Sequence, residues 1–167
     1  ELSRAIDDSL VIPMLFNNMA NCQQDLGNLG NAKKYIMQAI KGNARLRDSI
    51  RLARNYNNLG LIFLRLDDKD SARFFYELSL ELALEKGLKP LESTLKANLA
   101  GIYSVDGAYD RAELFYKEAL QLKKKINFVE GYNLLLVELI ELYLQTDRLE
   151  QAEPLIYQFD EQYVGKD

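Results

Sequence analysis

A period of forty residues runs through the chain and restricts its fold more than any other feature. Four alanines keep this spacing: Ala32, Ala72, Ala112 and Ala152. Two further columns keep it as well, the first formed by Met19, Leu59, Leu99 and Leu139 and the second by Ala20, Gly60, Ala100 and Ile140. A fixed period of this size is typical of a repeat array, in which each unit is one small motif and its neighbours complete its core.

Within one repeat, the apolar residues are spaced as on a helix. In the second repeat Tyr56, Leu59 and Phe63 follow at intervals of three and four, and Ala72 and Tyr76 do so after a polar turn. Each repeat is therefore predicted to be two antiparallel helices joined by a turn of about four residues. Alanine, glycine or serine recurs at fixed positions because two helices approach closely only where the side chains between them are small.

The repeats are predicted at residues 9–48, 49–88, 89–128 and 129–165. Pro13 suits the first turn of a helix, so the first helix of the first repeat is expected to start there. The string Glu1-Leu-Ser-Arg-Ala-Ile resembles Glu81-Leu-Ala-Leu-Glu-Lys, which lies near the end of a repeat. Residues 1–8 are therefore predicted to be the tail of a preceding repeat, and the chain to be a fragment of a longer protein.

Composition excludes several classes of function. The net charge is -4 and the pI about 5.0, whereas a general nucleic-acid binder needs clustered positive charge. The lysine run at residues 123–125 is better explained by the negative end of a helix than by a nucleic-acid patch. No apolar run is long enough to span a bilayer. The compartment and the oligomeric state stay open.

The residues that usually carry catalysis are scarce, so the chain is predicted not to be an enzyme and to hold neither a metal nor a cofactor. There is no histidine. The one cysteine, Cys22, aligns with apolar residues of the other repeats and is predicted to be a small core residue rather than a nucleophile. The string Asp67-Asp68-Lys69-Asp70 lacks the glycine and glutamate of a calcium loop and is predicted to be a polar turn. Glu138 and Glu141 fit a hydrophilic groove wall better than an acid/base pair.

The repeated strings resemble the tetratricopeptide repeat in its forty-residue form, which is similar to the repeats of kinesin light chain and of bacterial peptide-sensing regulators. The strings that carry the likeness are Tyr56-Asn-Asn-Leu59-Gly60-Leu-Ile-Phe63 and Ala112-x-x-x-Tyr116-x-x-Ala119. The resemblance implies an all-α fold, a right-handed α-α superhelix of stacked antiparallel hairpins. Its concave face is lined by the first helix of each hairpin. The fourth repeat departs from the pattern, since Ile140 and Phe159 replace small residues.

The resemblance also implies a role for the asparagine that precedes the Leu-Gly pair, which in such families often bonds the backbone of a bound peptide. The matching positions are Asn18, Asn58 and Asn98, with Glu138 in the fourth repeat. An amide offers both a donor and an acceptor, so it can bind a peptide backbone without selecting its side chains. The alternative is that these asparagines tie adjacent helices together, and both interpretations stay open.

Further candidates lie one helical turn away on the same face: Asn17, Asn21, Arg54, Asn57, Arg65 and Glu141. The two arginines could hold a carboxylate by forked hydrogen bonds or be paired within the chain. The third repeat offers small residues there, namely Thr94, Ala97, Gly101 and Ser104. The predicted function is a non-enzymatic scaffold that binds a protein or peptide on its concave face. The alternative is a ligand- or peptide-sensing domain of a bacterial signalling protein, either a histidine kinase or a transcription regulator.

Overall fold

The computed structural model describes the backbone of residues 2–164 and the side chains of residues 10–158. The described chain forms eight helices and no strand, which confirms the predicted all-α class. The helices are α1 (Leu2–Asp25), α2 (Leu29–Arg45), α3 (Ser49–Arg65), α4 (Lys69–Glu85), α5 (Lys89–Val105), α6 (Tyr109–Lys125), α7 (Tyr132–Gln145) and α8 (Leu149–Val164). None of the helices in this part of the chain is long and apolar enough to cross a membrane.

The chain divides into two compact units between Leu88 and Lys89. In unit 1, α1 packs on α2 and α3 on α4, and the two hairpins stack through α2 and α3. In unit 2, α5 packs on α6 and α7 on α8, and the stacking runs through α6 and α7. The first helices of each unit also touch, α1 with α3 and α5 with α7. Consecutive hairpins therefore supply each other's core, as the repeat pattern predicts.

The helices from α1 to α7 end in the same kind of short turn, and these turns recur every twenty residues. The left-handed residue of each turn is Gly27, Arg47, Asp67, Gly87, Gly107, Asn127 or Asp147. At the first turn the amide of Asn28 donates to the Gln23 carbonyl at 2.8 Å and that of Gly27 to the Gln24 carbonyl at 3.1 Å. This pair of bonds satisfies the last carbonyls of α1. The connections have three residues rather than about four, except the six-residue connection between α6 and α7.

The small residues of the repeat lie where the helices of a hairpin meet. Ala32, Ala72 and Ala112 are fully buried. A Cβ atom added to Gly60 of α3 would lie 2.7 Å from two ring atoms of Tyr76 on α4. The buried ring of Tyr76 therefore occupies the volume that any side chain at position 60 would need. The packing therefore agrees with the predicted reason for the small residues, which is the close approach of two helices.

The start of α1 differs from the prediction. Pro13 lies inside α1, which begins at Leu2, so the expectation of a helix start near Pro13 is wrong. Pro13 is buried against Gly42 of α2, where an added Cβ would lie 2.4 Å from the proline Cγ. The ring and the missing side chain fit each other, which offsets the helix hydrogen bond that proline cannot make. The assignment of residues 1–8 to a preceding repeat stays a prediction, because those side chains and that of Phe159 lie outside the described residues.

Cys22 is exposed, so the prediction that it is a core residue is wrong. The residues that align with it are buried, since Ile62, Ile102 and Leu142 expose only 0%, 2% and 1% of their surface. The difference follows from the neighbours: α2 covers this side of α3, whereas no described helix covers the same side of α1. Leu15 and Met19 of α1 are exposed on this side for the same reason.

Candidate functional site

The candidate residues lie on two surfaces, one in each unit, formed by the first helices of the hairpins. We call the surface of α1 and α3 face 1 and the surface of α5 and α7 face 2. Face 1 carries the candidates Asn17, Asn18, Asn21, Arg54, Asn57, Asn58 and Arg65. Face 2 carries Asn98, Glu138 and Glu141.

On face 1, amide side chains tie α1 to α3. The Nδ2 atom of Asn58 donates to Oδ1 of Asn17 at 3.1 Å and to Oδ1 of Asn21 at 3.2 Å. Asn57 donates to Oδ1 of Asn58 at 3.3 Å. The interpretation of these asparagines as ties between helices therefore describes Asn17, Asn21 and Asn58 in this structure.

The same network continues into the interior through two asparagines that are not among the predicted site residues. Asn55 donates to Oδ1 of Asn17 at 2.9 Å, and Asn43 of α2 donates to Oδ1 of Asn55 at 2.6 Å. Asn43 and Asn55 expose only 1% and 2% of their surface, so this bond is made away from water, and Oδ1 of Asn43 is left without a hydrogen-bond partner among the described residues. The signal was present, because Leu95 and Leu135 occupy the position of Asn55 in later repeats. A polar residue in an otherwise apolar column indicates a buried polar network.

The two candidate arginines have different surroundings. Arg65 donates from Nη1 to the carbonyl of Gln24 at 3.0 Å, where the negative end of α1 favours a cation. Arg54 is exposed and makes no ion pair or hydrogen bond with the described residues. Asn18 is exposed as well, on the neighbouring helix of the same face. Face 1 thus presents to the solvent the guanidinium of Arg54, which has no partner among the described residues, and the exposed amide of Asn18.

Face 2 is built differently, because small side chains line α5. Thr94, Ala97, Gly101 and Ser104 are all partly buried there. The hydroxyl of Tyr116, which belongs to α6, reaches to within 3.7 Å of the point where a Cβ on Gly101 would lie. Asn98 lies on the same helix and is partly buried.

The acidic residues of face 2 lie on α7 and have no cationic partner among the described side chains. Glu138 is partly buried and Glu141 is exposed. Burial raises the pKa of Glu138 above its usual range, and the charge of Glu141 raises it further. Burial also raises the pKa of Tyr116, and the charges of Glu138 and Glu141 add to this effect. The tyrosine hydroxyl therefore lies close enough to the two carboxylates to be affected by their charges.

The other acidic residues of unit 2 do have partners. Glu113 of α6 accepts hydrogen bonds from Lys117 at 2.6 Å, from the Tyr143 hydroxyl at 2.9 Å and from Arg148 at 2.5 Å. Burial on its own would raise the pKa of Glu113, but these three donors outweigh it and hold the pKa below its usual range. This cluster fixes α6 to α7 and to the turn before α8.

Two lysines of unit 2 also have partners within the chain. Lys96 pairs with Glu92 at 3.3 Å and with Glu118 at 2.9 Å. Lys123 is buried, and its Nζ atom donates to the Glu130 carbonyl at 2.6 Å. The lysine run does occupy the last turn of α6, as predicted, but Lys123 also braces the long connection that follows it. No group of three or more possible metal-binding side chains comes together among the residues described.

The comparison with protein families is decisive for the fold. Two tetratricopeptide repeat models match the chain, one at residues 11–85 and the other at residues 94–130. The chain belongs to the tetratricopeptide repeat family. The two matched stretches together contain all the candidate residues of face 1 and Asn98 of face 2. Glu138 and Glu141 lie beyond them, in the repeat that departs most from the pattern. No curated protein matches the sequence.

Solved structures of tetratricopeptide repeat proteins have the same fold. BtubC (BKLC) from P. vanneervenii superposes with a TM-score of 0.81 at 20% identity, covering 92% of this chain and 63% of its own. Aspartyl phosphate phosphatase F from Bacillus subtilis gives 0.83 at 14% identity, covering 92% and 41%.

A third solved structure has a similar fold. The STAND protein PH0952 from Pyrococcus horikoshii, which is described as having a tetratricopeptide repeat sensor, gives a TM-score of 0.82 at 19% identity, covering 95% of this chain and 25% of its own. The chain thus spans less than two thirds of each of these proteins. At such identities the likeness shows the fold alone.

Proposed function

We propose that this domain is a non-enzymatic scaffold that binds a peptide segment of another protein on the surfaces of its first helices. Tetratricopeptide repeat domains as a class bind proteins or peptides. The observation that carries the proposal is Arg54, an exposed guanidinium on face 1 that makes no ion pair with the described part of the chain. The neighbouring helix α1 carries the exposed amides of Asn18 and Asn21, and amides suit a peptide backbone.

The amide network refines which residues take part. Asn17 and Asn58 hold α1 against α3, so their role is to fix the spacing of the two helices rather than to contact a ligand first. Asn18 and Arg54 are more exposed and form the contact edge, together with Asn21, which is exposed as well although it also accepts the bond from Asn58. An arginine in this position binds carboxylates with two parallel hydrogen bonds, so a partner segment with an acidic residue or a free carboxyl end suits face 1.

A displayed library of random peptides tests this proposal without a known partner. Peptides that bind the 167-residue chain are selected and their affinities are measured by fluorescence anisotropy. We expect acidic peptides among those selected, and an affinity at least about tenfold lower for Arg54→Glu, which is the loss of one charge-assisted contact. The control is Arg45→Glu, an equally exposed arginine on α2, and it should change the affinity less than about twofold. If no peptide binds saturably, or if both variants bind alike, the proposal fails.

A sensor role is the second candidate function. It is favoured by the likeness to PH0952, which is named for a tetratricopeptide repeat sensor. In this version, ligand binding would shift the packing of the hairpins and bias an effector region. A selected peptide that changes the fluorescence energy transfer between labels on the α1–α2 and α3–α4 hairpins would indicate a sensor, and an unchanged signal on binding would indicate a passive scaffold.

A further inference from the structure

The second helices of unit 1, α2 and α4, present opposite charges to the solvent. All the charged residues of α2 are basic. Lys34 and Lys41 are exposed on one side of it, together with Met37, which exposes 47% of its surface. Arg45 lies on this side too, but in the last turn, where the negative end of a helix favours any cation. Lys34 and Lys41 lie before that turn, so the helix dipole does not explain them.

The equivalent side of α4 is acidic and aromatic. Forty residues on, the positions of Lys34, Met37 and Lys41 are occupied by Phe74, Glu77 and Glu81. All three side chains of α4 are exposed, and Phe74 exposes 55% of its surface. The two glutamates lie one helical turn apart on the same side, where like charges repel each other and destabilise the helix.

The charges that make this contrast have no partner in the part of the chain that the structure describes. Four side chains there make no ion pair or hydrogen bond with another described residue: Lys34, Lys41, Glu77 and Glu81. Other charges of α4 are paired, since Arg73 contacts Asp70 at 2.6 Å and Glu85 contacts Lys86 at 2.7 Å. A basic and an acidic surface of one compact unit thus both lack counter-charges.

From this complementarity we infer that the surface formed by α2 and α4 binds a second copy of the chain. The two helices are repeat equivalents and run in the same direction. A two-fold axis parallel to them therefore places each position of α2 opposite the position forty residues further on in the second copy. Lys41 then lies opposite Glu81 of the second copy, with Glu77 one turn away, and Lys34 lies opposite the ring of Phe74.

A second copy satisfies both helices at once, whereas a purely acidic partner would neutralise α2 and leave α4 unpaired. The two-fold axis repeats every contact, so two ion pairs and two cation–aromatic contacts form. Exposed ion pairs contribute little each, so we expect a weak and reversible dimer that salt weakens further. The inference goes beyond the proposed peptide binding, because that function uses the first helices.

Exchange of one pair of charges tests both the surface and its register. Sedimentation velocity of the 167-residue chain, over a range of concentrations, measures the monomer–dimer equilibrium. Lys41→Glu and Glu81→Lys should each weaken the dimer at least about tenfold, because each change places like charges opposite each other twice. An equimolar mixture of the two variants should restore the affinity to within about threefold, since their charges are again complementary in the mixed dimer.

A matched pair of variants controls for net charge. Lys124→Glu and Glu153→Lys change exposed residues of unit 2 that have no ion pair among the described side chains, and they should leave the association unchanged, alone or mixed. Circular dichroism checks that every variant is folded. The inference is overturned if the chain stays monomeric at all concentrations, if the control variants weaken the dimer equally, or if the mixture associates no better than its components. Binding of a monomeric chain to vesicles of anionic lipid would assign the basic side of α2 to a membrane and would overturn it as well.

Discussion

Gly60 and Gly101 both lie inside first helices, yet their surroundings make opposite demands on them. A side chain at Gly60 would overlap the buried ring of Tyr76, whereas a side chain at Gly101 would meet only the Tyr116 hydroxyl at an ordinary distance of 3.7 Å. Glycine lowers the stability of a helix interior by about 1 kcal/mol relative to alanine. Packing leaves no room for a side chain at Gly60, so the lower helix stability of glycine is unavoidable there. At Gly101 the packing leaves room for a side chain.

The same substitution should therefore have opposite effects at the two sites. Gly60→Ala should destabilise the chain by about 1–3 kcal/mol, because the Tyr76 ring must move within a packed core. Gly101→Ala should be neutral or stabilising by up to about 1 kcal/mol, because it gains helix propensity without a clash. Urea denaturation followed by circular dichroism measures both. Equal effects of the two changes would mean that the contact with Tyr76 does not explain Gly60.

At the level of secondary structure, the turns between the helices, rather than the helices themselves, give the molecule its regular spacing. Seven turns contain a left-handed residue, and these residues recur at intervals of twenty positions. Only three of them are glycine. Asparagine and aspartate accept this conformation with little strain, and they occupy three of the other four positions. Arg47, with φ 55°, is not one of these residue types, so it carries the steric strain of a left-handed backbone conformation.

Two arginines separated by one residue test this account of the turns. Arg47→Gly should raise the stability by about 1 kcal/mol, since glycine adopts a positive φ without a steric penalty. Arg45→Gly, in the last turn of α2, should lower it by a similar amount because glycine disfavours helix. Thermal denaturation should show shifts of about 2–4 °C in opposite directions. A fall in Tm for Arg47→Gly would contradict the strain argument.

For the molecule as a whole, the position of a hairpin along the chain decides which of its faces are covered. The stacking sides of α3 and α7 are buried beneath α2 and α6, respectively. The equivalent side of α1 is exposed and carries Leu15, Met19 and Cys22. Residues at the same repeat position thus differ in exposure for a reason that lies outside their own repeat.

Thiol labelling measures this difference in the folded protein. Cys22 should react with a maleimide as fast in the native chain as in urea, because its side chain is exposed. In a Cys22→Ala background, Ile62→Cys should be protected in the native chain, since α2 covers that position. Protection of Cys22 comparable to that of Ile62→Cys would show that its side of α1 is covered in solution.

The sequence by itself determined the helices, the hairpins, their period and the family, because these features depend on local spacing that repeats four times. It also assigned the candidate residues to the first helices of the hairpins, where they do lie. Only the tertiary structure showed that Asn17 and Asn58 are joined to the buried Asn43 and Asn55, that Arg65 closes α1, and that Cys22 is exposed. The reason is physical: a repeat pattern specifies which residues are equivalent, but partners and burial depend on the neighbouring helix, which differs from one repeat to the next.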